Sequence, residues 1–381
     1  MVSIAIFQKK TIRPITGGIS RMSQFYYDIL MEAGYDVWLL SEINTGPPVS
    51  ERQLYCAGKS LDQIEEAFVS VCRQKNISLI IYQDAINPAD NYYIPYFAKA
   101  LGIKVVSVVH SSLRGIYGIS GRRSCGWIHG LAKTVVERCV NFYFKLKYSD
   151  NYKKMISLSD RVVLLSDILR SEFKWFCGTH DFCKFLSIYN PMVLKNPQYS
   201  ALTKQKSILN VGTLNQAKRQ DILLKIWHKI ESKYPDWKLD IVGDGPERES
   251  LKRLANKLNL KRVFFHGFQS PEKYYEEAAI FCLTSGFEGF GLVIVESMAY
   301  GCVPVAFNSF ANAQEIVDDG VNGYLVKAFD INQFTNVLIK LMNDSRLLCQ
   351  MATNARVKSK SFDRNLIKSK WIQLINELTN Q

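Results

Sequence analysis

Strand-type and helix-type segments alternate along almost the whole chain, and that order admits few architectures. Short apolar runs of four to eight residues read as buried strands, and the longer segments between them carry helical periodicity. In the first half the strand candidates are Ser3–Phe7, Asp36–Leu40, Ser78–Tyr82, Lys104–Val109, Arg161–Leu165 and Leu186–Tyr189. Helices fall between them, for instance from Ile19 to Ala33, closed by Gly34. Asn190-Pro191 breaks the pattern, and the stretch to about Lys206 reads as a linker. A second series follows: Ile208–Val211, Leu239–Val242, Val263–Phe265, Ile280–Leu283, Val303–Phe307 and Tyr324–Val326. Helices are expected at Asp221–Lys233, Glu247–Leu258 and Asp330–Met342, and Ser345–Asn380 reads as helical and basic. Alternation of this kind builds parallel sheets with helices on both faces. The length of 381 residues suits two such domains.

In open parallel sheets, ligands bind beyond the carboxyl ends of the strands. The second series carries the most telling loop of this kind: Glu288-Gly289-Phe290-Gly291-Leu292-Val293-Ile294-Val295-Glu296. Leu292 to Tyr300 reads as a short buried helix, with Gly301 just past its end. Glu288 then precedes the helix N-terminus, and Glu296 lies within it. The glycines leave backbone N–H groups bare at the positive end of the helix dipole, which suits a phosphate or sugar hydroxyls. A carboxylate on each side could grip both ends of a ligand whose middle is anionic. A nucleotide sugar has that shape.

The flanking strings make the match specific. Thr284-Ser285-Gly286-Phe287 before the loop and Ser297-Met298-Ala299-Tyr300-Gly301-Cys302-Val303-Pro304-Val305-Ala306 after it closely resemble the signature of retaining GT-B glycosyltransferases of family 4. The resemblance implies that Glu288 contacts the donor hexose and Glu296 the ribose hydroxyls. It implies that the backbone amides of Gly289, Phe290, Gly291 and Leu292 meet the hexose and diphosphate. The implied fold is GT-B: two facing Rossmann-like, doubly wound domains with a cleft between them. Residues 1–195 would bind the acceptor and 196–362 the nucleotide-sugar donor, and a helix within 363–381 would pack back on the first domain.

Other loops acquire roles from the same resemblance. His110 ends the run Val105–Val109, where the family commonly has a histidine near the donor sugar; a role in donor positioning and transition-state stabilisation is expected. Gly17-Gly18 stands between the first strand and its helix, where the family has a glycine-rich loop. After Gly212 the family has an arginine and, five positions later, a lysine. Lys218 matches the lysine, Thr213 departs from the arginine, and Arg219 is the candidate substitute. These cations would neutralise a diphosphate leaving group. Val242-Gly243-Asp244-Gly245-Pro246 and the segment Glu315–Val326 read as structural turns. The resemblance is strong from about Ile208 to Asp330. It is thinner in the first half, where it rests on Gly17-Gly18, His110, Asp160–Ser166 and Tyr189-Asn190-Pro191.

The net charge of +13 is uneven. Between Leu113 and Met155 nine basic residues face only Glu137 and Asp150, among seven aromatic residues. That composition suits a surface meeting anionic lipid headgroups. It would also suit nucleic acid, but no nucleic-acid motif accompanies it. The nine cysteines show no disulfide framework and fit a reducing compartment. Cys177, His180 and Cys183 lack a second ligand cluster, so no metal site is expected.

The expectation is therefore a retaining, metal-independent hexosyltransferase without a cofactor. It would use a nucleotide sugar, expected to be a UDP-hexose or UDP-N-acetylhexosamine. The acceptor would be a lipid-linked or polysaccharide glycan in cell-surface assembly such as capsule or lipopolysaccharide. The enzyme would work on the inner face of the cytoplasmic membrane, in peripheral contact through 113–155. Two alternatives share the donor motif. One is a sugar-nucleotide epimerase, which would need no acceptor and no basic aromatic surface. The other is a catalytically inert sugar-nucleotide-binding partner, which would not need the full set Glu288, Glu296, Lys218 and His110.

Overall fold

Every pairing between strands in the structure, a computed structural model, is parallel. The structure describes residues 2–13, 18–48, 50–87, 92–113, 131–192, 194 and 204–379, with backbone alone for 131–137. A seven-stranded sheet holds β1 (Ser3–Phe7), β2 (Asp36–Ser41), β3 (Gln53–Tyr55), β4 (Ile77–Tyr82), β5 (Lys104–Val109), β6 (Arg161–Leu164) and β7 (Phe185–Ser187) in the order 3-2-1-4-5-6-7. A six-stranded sheet holds β8 (Gln205–Val211), β9 (Lys238–Val242), β10 (Val263–Gly267), β11 (Ala278–Leu283), β12 (Val303–Asn308) and β13 (Tyr324–Lys327) in the order 10-9-8-11-12-13. Both are doubly wound, Rossmann-like sheets.

The strands read as apolar runs because helices cover both faces of a parallel sheet. All five residues of β1 are buried, as are all six of β11. In the second sheet the core gathers Trp227, Leu239, Ile241, Ile280, Val305, Phe307 and Phe334.

The chain divides into two compact units. One contains the first sheet together with the C-terminal segment from Asn365, and the other runs from Pro191 to Arg364. In the first unit the helix Arg364–Thr379 buries Ile367, Trp371, Leu374, Ile375 and Leu378. The Trp371 ring lies 4.5 Å from that of Tyr26, and Lys368 Nζ donates to Glu32 at 2.6 Å.

Winding out in both directions makes one switch point in each sheet. In the first it falls between β1 and β4, in the second between β8 and β11. There the loops leaving adjacent strands turn to opposite faces and leave a crevice at the carboxyl ends.

Candidate functional site

At the switch point of the second sheet, the loops after β8 and β11 are tied together. The Gly286 N–H donates to the Ala217 carbonyl at 2.8 Å, and Thr284 Oγ1 donates to the Arg219 carbonyl at 3.0 Å. The β8 loop is shaped locally by Asn215, whose Oδ1 accepts from the backbone of Ala217 and Lys218, both at 3.1 Å. An Asx turn of this kind stands in for a backbone turn. It presents the Lys218 side chain to the β11 loop.

There Lys218 meets Glu288. Lys218 Nζ lies 2.6 and 2.7 Å from the two carboxylate oxygens, and Ser285 Oγ donates to Oε1 at 2.6 Å. Two residues 70 positions apart thus form one charge pair at the mouth of the switch point.

The glycine-rich turn behind Glu288 enters the helix Leu292–Ala299. Gly291 has φ +93°, and a Cβ there would stand 3.1 Å from the Phe310 ring. Asn312 Nδ2 donates to the Gly289 carbonyl at 2.7 Å and holds the turn in place. Phe290 is buried, its ring 5.8 Å from that of Phe362, so its backbone rather than its side chain is available to a ligand. Leu292 is buried at the first helical position. Glu296 is buried within the helix, and Tyr275 donates its hydroxyl to Oε2 at 3.2 Å.

Thr213 is exposed, and its carbonyl accepts from Gln220 Nε2 at 3.3 Å. Arg219 stands at the N-cap of the helix Gln220–His228 with φ +51°. That backbone turn directs its guanidinium to Asp221, with bonds of 2.9 and 3.2 Å, and over the Phe329 ring. Asp221 is held ionised below its usual range: burial works against this, and the Arg219 hydrogen bond overcomes it.

In the first unit His110 directly follows β5 and is buried. Burial pushes its pKa down to about 3, so the imidazole is neutral. Its Nε2 is hydrogen-bonded to Gln83 Oε1. Gln83 follows β4 and is itself tied to β1 through its N–H on the Phe7 carbonyl at 3.0 Å. Gly18 opens the helix Gly18–Glu32 and is exposed, while Gly17 lies outside the described residues.

Several residues that shape these sites went unnoticed in the sequence: Ser285 as a partner of Glu288, Asn215, Asn312, Tyr275 and Gln83. Gln83 had a signal, since it stands directly after an apolar strand, as His110 does. Tyr275 and Asn312 carry no local signature, because their partners lie 21 and 23 positions away, whereas Ser285 and Asn215 bond to residues two or three positions on. Among the described residues no group of three or more His, Cys, Asp or Glu is arranged to hold a metal ion. Cys177 is buried, whereas Cys183 is exposed and bonded to Asp181.

Two doubly wound, Rossmann-like parallel sheets are the architecture of the GT-B fold class. Residues 195–358 match the family described as Glycosyl transferases group 1, so the chain carries a domain of that family. A relative from Haemophilus influenzae, named only as an uncharacterized glycosyltransferase, is 28% identical over 93% of this chain and 95% of its own length. A Campylobacter jejuni relative is named N-acetylgalactosamine-N,N'-diacetylbacillosaminyl-diphospho-undecaprenol 4-alpha-N-acetylgalactosaminyltransferase. It is 32% identical over 46% of this chain, and the match takes in 49% of its own length. Among solved structures, Anabaena HepE in complex with UDP and glucose superposes with a TM-score of 0.72, over 99% of this chain and 100% of that one, at 18% identity.

Proposed function

We propose that this chain is a retaining, metal-independent glycosyltransferase of family 4. It would move a hexose or N-acetylhexosamine from a UDP-sugar to a lipid-linked or polysaccharide acceptor in bacterial cell-surface glycan assembly. The observation that carries this reading is the pairing of Lys218 with Glu288 at the β8/β11 switch point, beside the helix that bears Glu296. HepE, with the same fold, holds UDP and glucose. The Campylobacter relative is named for an undecaprenol-linked acceptor.

The chemistry assigned to each group follows from its place. Lys218 and the N-terminus of Leu292–Ala299 would stabilise charge growing on the departing diphosphate. Glu296 would accept from the ribose hydroxyls, and Glu288 from the hexose. His110, being neutral, serves as a hydrogen-bonding group and not as a proton donor. No protein nucleophile is assigned. In front-face transfer the leaving phosphate takes the acceptor proton.

Thermal shift with a panel of UDP-, GDP- and ADP-sugars in EDTA tests the donor reading. One UDP-sugar is expected to raise the melting temperature. Glu296→Gln is expected to weaken that binding by about 10- to 100-fold, the worth of hydrogen bonds to a charged group. A full-strength response from the variant would remove Glu296 from the ribose site.

The membrane contact rests on the helix Leu131–Leu158. Phe142, Tyr143 and Leu146 are exposed there, with Arg138 and Lys147 beside them. Lys147 Nζ lies 5.1 Å from the Tyr148 ring centre. Residues 114–130 of the basic aromatic segment lie outside the described residues. Among those described, no helix is long and apolar enough to cross a membrane. Salt-sensitive binding to phosphatidylglycerol vesicles is expected, because the attraction is screened over about 10 Å at 0.1 M salt. Absence of binding at low salt would remove this contact.

A further inference from the structure

In the proposed donor site, the two groups assigned to opposite parts of the donor hold each other. Lys218 offers its ammonium to both oxygens of Glu288, at 2.6 and 2.7 Å, with side chains only 22% and 10% exposed. A pair this shielded from water differs from a surface salt bridge, since either charge left alone would be poorly solvated. The neighbouring cation is already engaged, with Arg219 on Asp221. Thr213 contributes no charge where the related signature has an arginine. An anionic diphosphate arriving at this loop must therefore take Lys218 from Glu288.

We propose that Glu288 is the resident counter-anion of Lys218 and is exchanged for the diphosphate of the incoming nucleotide. The exchange frees the Glu288 carboxylate for the hexose only once the phosphates are seated. This rests on the donor-site reading above and adds to it a coupling between two subsites.

The exchange has a consequence that a simple sugar contact lacks. Breaking the pair opposes nucleotide binding. A nucleotide sugar regains part of that cost when its hexose meets the released carboxylate. A nucleoside diphosphate without sugar regains none. Glu288 should therefore weaken the binding of UDP itself, although it touches no part of UDP.

Glu288→Gln keeps the shape of the side chain and a partner for Ser285 while removing the charge. In calorimetry this variant is expected to bind UDP about tenfold more tightly than the unaltered protein, a coupling of ordinary size between two sites. It is expected to bind uridine unchanged and to transfer sugar more slowly. UDP affinity that is equal or weaker in Glu288→Gln would overturn the exchange.

Loss of repulsion between Glu288 and the phosphates would also tighten UDP binding in Glu288→Gln, so the comparison is repeated without the lysine. Between Lys218→Met and Lys218→Met/Glu288→Gln the gain should vanish; its persistence would also overturn the exchange. Equal UDP binding by the unaltered protein and Glu288→Gln would leave the donor site standing and remove only the exchange. Failure of both to bind any nucleotide would remove the donor-site reading, and the exchange with it.

Discussion

Lys218→Ala is expected to lower kcat/KM for sugar transfer by about two to three orders of magnitude, or about 3–4 kcal/mol of transition-state stabilisation. Among the described residues, the ammonium is the one cation at the β8/β11 loops that is not committed to a neighbour outside the proposed site. Arg219, next in sequence, is bonded to Asp221 and lies 5.6 Å from the centre of the Phe329 ring. In the proposed reaction, negative charge would appear on the leaving diphosphate as the glycosidic bond breaks. A positive group already in place stabilises that charge without reorganisation. The loss should therefore appear in kcat as well as KM. Initial rates under saturating donor would test this, with urea unfolding as the control for stability. A rate within about threefold of the unaltered enzyme would mean that Lys218 does not serve the leaving group.

The second large effect lies in the backbone. Gly243→Ala is expected to destabilise the second unit by about 3–5 kcal/mol and to abolish donor binding, through overlap and backbone strain together. Gly243 has φ +142°, and a Cβ added there would stand 2.0 Å from the Gly212 carbonyl oxygen. The obstacle is backbone, not a side chain that could turn aside. The loop after β9 is also bonded to the loop after β8, with the Leu214 N–H on the Asp244 carbonyl at 2.9 Å. Displacing Gly243 would therefore shift the strand end that leads to Lys218. Gly320→Ala is the comparison. Its φ is +75°, but nothing lies within 4 Å of the added Cβ. It should cost only the local strain of about 1–2 kcal/mol. Similar urea midpoints for the two variants would show that the approach of Gly243 to Gly212 is not what the glycine serves.

Most strands were legible because both faces of a parallel sheet are covered, which turns each strand into an apolar run. The miss, β3, is a three-residue edge strand, Gln53-Leu54-Tyr55, too short to show a pattern. The helix expected through Lys233 ends at His228, with a separate turn at Glu231–Lys233. There Glu231 accepts from Trp227 Nε1 and from the N–H groups of Lys261 and Arg262. Those bonds to a distant loop hold the segment where helical periodicity alone would carry it onward. The helical C-terminal segment is likewise two helices, Ser345–Ser359 and Arg364–Thr379. Between them Phe362 is buried against Phe290, and its carbonyl accepts from the Met192 N–H at 2.8 Å. A tertiary contact sets that break, with no proline or glycine to announce it.

By itself, the sequence determined the alternation that builds two parallel sheets and the Glu288–Glu296 spacing around a glycine-rich helix start. It also determined the strand-end placement of His110. These are local matters of apolar runs, turn residues and helix ends, written in consecutive residues. Only the tertiary structure decided the partners: Lys218 on Glu288, Gln83 on His110, and Arg219 turned away onto Asp221. The physical reason is the strand order. Placing β8 beside β11 and β4 beside β5 brings distant loop residues within hydrogen-bond reach, and the left-handed backbone at Arg219 directs the neighbouring cation elsewhere.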